Sequence, residues 1–330
     1  MNVEQINARG QLRHLISLED LTRAQIERII ERANSYRTPP GHPAPRDAIL
    51  RGQTVANLFF EASTRTRASF ELAAKRLSAD VLNLDVKMSS RAKGESIMDT
   101  IFTLQAMQVD FFVIRDASTG VPAMIARAVA PHVCVLNAGE SGVSHPTQGL
   151  LDLMTIQLHK GDVANLSVAI IGDIRHSRVA NSAYQALSKL GVGELRLVAP
   201  PELLPDDGAF PGAKRDTDLA SGIAGVDVVM ALRLQRERFV QLADIPDPQE
   251  YFRRYGLTEE RLELAGKDAI VMHPGPMNRG VEIESVVADG PQSVIREQVT
   301  NGMAVRMAVL ALCHEHVRSA QEDLGATHAR

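Results

Sequence analysis

Short apolar runs alternate with helically spaced segments along most of the chain. Runs at 55–60, 81–85, 110–115 and 133–137 predict strands, and the spacing between them predicts helices near 63–78, 95–107 and 121–130. Ahead of these, residues 17–37 have helical spacing, with Ser17 as the candidate N-cap and Leu18, Leu21, Ile26, Ile29 and Ile30 on the apolar face. Leu150 to Leu158 continues a helix begun near Thr147. A second alternation opens with the run Leu166–Gly172 and Asp173, and predicts further strands near 194–199, 226–232 and 268–273. The stretch from Pro200 to Gly212, rich in proline and glycine, reads as a surface loop.

That rhythm is the signature of parallel sheets with crossover helices, so the fold class is α/β with two doubly wound parallel-sheet domains. Such sheets bind ligands beyond the carboxyl ends of their strands, which predicts an active site in the interdomain cleft. The first domain is placed at 1–145 and the second at 146–291. A last helix, about 292–318, is expected to pack back on the first domain.

Composition narrows the function. The 330 residues suffice for two well-filled cores. A net charge of −4 leaves no excess of cations to neutralise the phosphates of a duplex, which argues against nucleic acid. Cys134 and Cys313 lie far apart and outside any metal-ligand spacing, as in a reduced cytoplasmic protein. The start of the chain is polar, without the apolar core of a signal peptide. The apolar stretch Ala304–Cys313 is short and contains Arg306, so it reads as a core helix and no membrane span is expected.

The chemistry concentrates in Glu61-Ala62-Ser63-Thr64-Arg65-Thr66-Arg67, between a predicted strand and a predicted helix. Hydroxyls, two guanidinium groups and several backbone N–H groups meet at a helix N-terminus, where the dipole favours an anion. The competing reading is a capping Ser63 followed by a solvated basic turn. His145 and Gln148, three residues apart at a helix start, can face one ligand, or His145 can simply cap the helix. Arg115 closes a strand and faces either a cleft or solvent.

Gly172-Asp173 ends a strand as a dinucleotide site would, but the glycines that let backbone approach a pyrophosphate are missing, and no Walker sequence occurs. Arg178, at the next helix start, suits a carboxylate. Arg233-Leu234-Gln235 follows another strand, and alternation would place Arg233 and Gln235 on one side unless the run is a solvated turn. His273-Pro274-Gly275-Pro276 ends a third strand; its prolines remove two donors and leave carbonyls to accept from an amide, although a structural turn needs no more.

Taken together, Phe60–Arg67, His145-Pro146-Thr147-Gln148, Gly172-Asp173 with Arg178, and His273–Pro276 resemble, in order and separation, the aspartate and ornithine carbamoyltransferases, from about residue 12 to 315. The resemblance implies that Ser63, Thr64, Arg65 and Thr66 hold the phosphate of carbamoyl phosphate. Arg115 would bridge the phosphate and the carbonyl oxygen. Thr66, Arg115 and His145 would stabilise the oxyanion, with Arg65, Thr66, Arg115 and His145 as the catalytic set. Gln148 and the turn Pro274-Gly275-Pro276 would hold the carbamoyl amide.

The ornithine branch carries a cysteine in a His-Cys-Leu-Pro motif and an acidic group for the ornithine amine; here His273 is followed by proline, and Arg233 and Gln235 suit a second carboxylate. The resemblance therefore points to L-aspartate as acceptor, bound by Arg178, Arg233, Gln235 and Lys93, in pyrimidine (UMP) synthesis. Ser89 and Lys93 match a loop that members of the family insert into a neighbouring subunit's site, which implies a homotrimer. A second basic residue seen before this lysine in some relatives is Ala92 here. No metal or cofactor is implied. Another amino acid acceptor and an inactive scaffold remain alternatives, and regulatory or dihydroorotase-like partner chains stay open. Gly10–Leu15 resembles the extended starts of bacterial forms that pair with the latter.

Overall fold

The computed structural model describes residues 3–39, 41–84, 96–238 and 247–328. The chain divides into two compact units, Met1–Leu150 with Thr300–Arg330, and Leu151–Val299. Each contains one all-parallel sheet. In the first unit, β1 (Thr54–Phe59), β2 (Asp80–Leu84), β3 (Phe111–Asp116) and β4 (Cys134–Glu140) take the order β2-β1-β3-β4. In the second, β5 (Ser167–Gly172), β6 (Glu194–Val198), β7 (Lys214–Asp216), β8 (Val228–Leu232) and β9 (Ile270–Met272) take the order β7-β6-β5-β8-β9.

The continuous apolar runs have a direct cause. Central parallel strands are covered on both faces, so β3 and β8 are buried along their whole length and show no alternation; β4, last in its sheet, is buried as well, with Leu15 bridged to its Leu136. In the first unit Ala56, Leu58, Phe112 and Ile114 pack with Ile101 and Ile125 from the flanking helices. Both sheets are tied at their amino ends by the same device. Asp110, just before β3, accepts from the Thr54 N–H of β1 at 2.8 Å, and Asp227, just before β8, accepts from the Ser167 N–H of β5 at 2.8 Å.

The first helix departs from the expectation. It spans Arg23–Ser35, and its N-cap is Thr22, whose hydroxyl accepts from Gln25 N–H while the Gln25 side chain accepts from Thr22 N–H. That reciprocal box outcompetes Ser17, which instead accepts from Glu19 N–H in the preceding turn. Leu18 and Leu21 are buried ahead of the helix, not on it. The region 200–212 is not wholly superficial either: Leu203, Leu204 and Phe210 are buried, and Phe210 packs edge-on to Tyr184 at 4.9 Å.

The last helix, Ile295–His328, is longer than expected. In the first unit it lays Ala304 to Cys313 into the core, sets the Arg306 guanidinium 5.2 Å from the Phe70 ring, and receives the Cys134 thiol on the Cys313 carbonyl at 3.6 Å. No helix among the described residues is long and apolar enough to cross a membrane.

Candidate active site

The order of the first sheet reverses direction between β1 and β3, and this is where an open parallel sheet leaves a crevice at its carboxyl edge. The helix Thr64–Arg76 starts beyond β1. Ser63 is its N-cap in backbone conformation, yet its hydroxyl makes no capping bond, so the bland capping role predicted as the alternative is not what the side chain does. Thr66 is buried, while Thr64 and Arg65 are exposed.

Arg115 lies beside this turn. It is in register with Phe59, and its carbonyl accepts from Phe60 N–H at 2.8 Å. Arg115 is 7% exposed, and its guanidinium donates to the Ala138 carbonyl at 3.2 Å and meets the Glu61 carboxylate at 3.3 Å. Arg115 therefore faces inward between the ends of β1 and β4 and not open solvent. Beyond β4 the chain reverses through an antiparallel bridge between Glu140 and Ser144, then enters the helix Pro146–Lys160. His145 and Gln148 are both buried at that start, and the His145 carbonyl accepts from Gln148 N–H at 2.9 Å. Glu140 supports the loop by accepting from Gly120 N–H and the Asn137 amide, and burial raises its carboxyl above the usual range.

In the second unit the reversal falls between β5 and β8. Gly172 ends β5 at φ +116°, and a Cβ there would stand 2.5 Å from the Leu232 carbonyl oxygen, so only glycine lets the two strand ends close up. Ser177 caps the next helix by accepting from Ala180 N–H at 3.1 Å, and Arg178 is its first residue, buried. β8 stops at Leu232, so Arg233 and Gln235 are not in an alternating strand as expected. Gln235 is turned instead by two hydrogen bonds: its N–H donates to Asp173 Oδ2 at 3.0 Å and its amide to the His176 carbonyl at 2.9 Å.

His273 follows β9. Its Nδ1 accepts from Gly275 N–H at 2.8 Å, so Nε2–H donates to the buried Glu282 carboxylate at 3.2 Å, and the His273 N–H donates to Gln298 at 2.9 Å. The turn Pro274-Gly275-Pro276, with Gly275 at φ +65°, is thus held from both sides. Ser89, Ala92 and Lys93 lie outside the described residues. Sequence reasoning missed the supporting groups Glu61, Asp173, His176 and Glu282. Glu61 sits inside the most informative motif, and a carboxylate beside two arginines was the available signal; Asp173 pairs locally with His176, and Glu282 with His273, across turns that no apolar period marks.

Each unit thus sets hydroxyl, cationic or amide side chains beyond the carboxyl ends of a parallel sheet, where open α/β sheets bind small ligands. Residues 13–158 match the carbamoyl-phosphate binding domain of the aspartate/ornithine carbamoyltransferases, and residues 164–313 match the Asp/Orn binding domain. The chain belongs to the aspartate/ornithine carbamoyltransferase family and is a carbamoyltransferase. Among solved structures it is similar to the aspartate transcarbamoylase of Trypanosoma cruzi in complex with N-(phosphonacetyl)-L-aspartic acid, with 32% identity and a TM-score of 0.76 over 91% of this chain and 94% of that one. The ornithine carbamoyltransferase of Pyrococcus furiosus matches with 30% identity and a TM-score of 0.80 over 91% and 96%.

Proposed function

We propose that the chain transfers the carbamoyl group of carbamoyl phosphate to the amine of L-aspartate, giving N-carbamoyl-L-aspartate and phosphate for pyrimidine synthesis. The observation that carries the reading is the placement of cations. Arg178 and Arg233 follow the carboxyl ends of the adjacent strands β5 and β8, which suits an acceptor with two carboxylates and repels the ammonium group of ornithine.

In this reading Ser63, Thr64, Arg65 and Thr66 bind the phosphate at the helix start, and Arg115 spans phosphate and carbonyl oxygen. The neutral amine attacks the carbamoyl carbon. Thr66, Arg115 and His145 take up charge on the oxygen as the tetrahedral species forms. The carbon–oxygen bond to phosphate then breaks, and the departing phosphate accepts the amine proton. Gln148 and the carbonyls of Pro274 and Gly275 orient the carbamoyl NH2, with Pro276 fixing their turn. Arg178 and Arg233 hold the acceptor. Gln235 assists with the N–H that is not bonded to His176, and Lys93 and Ser89 come from a neighbouring subunit of a homotrimer. The two unbridged cysteines, both buried, suit a reducing cytoplasm.

The test is purified protein supplied with carbamoyl phosphate and a panel of amino acids. Carbamoyl aspartate should be the product, with none from ornithine. Citrulline formation, or indifference to aspartate, overturns the assignment.

A further inference from the structure

Asp173 is fully buried, and a carboxylate removed from water must recover its hydration from donors. His176 supplies two of them to Oδ1, its ring Nδ1–H at 2.7 Å and its backbone N–H at 3.3 Å. A carboxylate facing Nδ1 fixes that nitrogen as the protonated one. The other oxygen, Oδ2, takes the Gln235 N–H at 3.0 Å. A second connection runs in parallel. The His176 carbonyl accepts from the Gln235 amide at 2.9 Å and from Arg238 Nη1 at 2.6 Å. Asp173, His176, Gln235 and Arg238 thus latch the turn after β5 to the turn after β8, two segments about sixty residues apart in sequence.

The latch residues adjoin the two acceptor cations in sequence. Arg178 is two residues beyond His176, and Arg233 is two residues before Gln235. We propose that His176 is a positioning residue that sets the separation of Arg178 and Arg233, and with it the length of dicarboxylate the enzyme accepts. The proposal rests on the assignment of those arginines to the acceptor. The imidazole acts through Asp173: it holds Oδ1 so that Oδ2 remains aimed at the Gln235 backbone. Without the ring N–H, the buried carboxylate turns toward whatever donor or water it can find, and the β8 turn loses its register against Arg178.

Three variants test this against wild type, with KM measured for each substrate separately. His176→Ala should raise the aspartate KM at least about tenfold, with the carbamoyl phosphate KM unchanged within about twofold. Its preference for aspartate over glutamate, one methylene longer, should fall by a comparable factor. His176→Asn, whose amide can stand where Nδ1–H stood, should recover most of both effects. His176→Gln, which reaches past that point, should recover little, and the Asn/Gln comparison decides the matter if the alanine variant does not fold. An unaltered aspartate KM in His176→Ala or His176→Gln overturns the proposal. So does a parallel rise in both KM values, or an asparagine variant no better than glutamine, since either marks a general structural role. If wild type carbamoylates a different amino acid, the aspartate assignment falls, while the same split of KM values with that acceptor still judges the latch. A wild type without turnover on any amino acid removes both.

Discussion

Arg65 and Arg233 carry the same charge in different surroundings, and their substitutions should fail differently. Arg65 is exposed at a helix start and contributes nothing to a core. Arg65→Ala is expected to lower turnover by about a hundredfold or more, the scale of losing a donor to developing charge. Its melting temperature should stay near wild type; a large drop in thermal melting would make Arg65 a structural residue instead. Arg233 is half-buried beyond β8. Arg233→Ala should raise the aspartate KM about thirtyfold or more, the equivalent of roughly 2 kcal/mol for a charge-assisted bond, while carbamoyl phosphate saturation stays put. Steady-state kinetics with each substrate varied in turn separates these outcomes. The position of each arginine beyond a strand was legible in the sequence, because an apolar run precedes it. The carboxylates that pair elsewhere at these strand ends were not, because Glu61 meets Arg115 and Asp173 meets the Gln235 N–H only through the neighbours that sheet order assigns.

Among the elements, the turn between β5 and the helix Arg178–Lys189 depends on one missing methyl group. Gly172→Ala forces a side chain into φ +116° and against the Leu232 carbonyl oxygen. The expected cost is at least about 2 kcal/mol, read as a fall of several degrees in melting temperature. A variant that melts like wild type would show that the strand ends are free to part. Elements whose apolar pattern was long were legible to within a few residues, β1 and β3 among them. The short strand β7 was not: Lys214-Arg215-Asp216 is polar, mostly exposed and at the sheet edge, so no hydrophobic period marks it. The first helix start was misplaced for a related reason. Ser17 was the only cap expected from the sequence, and Thr22 caps the helix instead because Gln25 completes the reciprocal box there.

At the scale of the whole molecule, acid should loosen the first unit. His14 is 1% exposed and accepts from the Val135 N–H through Nδ1, tying the N-terminal segment to β4. Burial, with the Arg13 charge adding to it, lowers its pKa from 6.5 to about 3. Below pH 6.5 the unfolded chain binds a proton there that the folded one refuses. The stability due to the neutral ring is complete above pH 6.5 and is lost as pH falls toward 3, at up to about 1.4 kcal/mol per pH unit. His14→Asn keeps an acceptor for Val135 without the titration, so its melting temperature should fall less than that of wild type between pH 7.5 and 5.5. Equal falls would place the acid sensitivity elsewhere. The proposed trimer makes a separate prediction. Arg65→Ala and Lys93→Ala chains, each inactive alone, should recover about a quarter of the sites when dissociated and reassembled together, because mixed rings contain one intact site. Recovery no greater than in separately treated chains, with exchange confirmed, excludes a shared site.

The sequence by itself determined the fold class, the number of sheets and the residues that carry charge to the strand ends. Those follow from period, length and turn chemistry, which are local. Tertiary structure decided which strand ends are neighbours: the orders β2-β1-β3-β4 and β7-β6-β5-β8-β9 place Arg115 beside Glu61 and the Asp173 turn beside Gln235. It also decided that the Gln235 amide donates to the His176 carbonyl. Such pairings depend on sheet order and on which buried charges need donors, and neither quantity is written in a local stretch of chain.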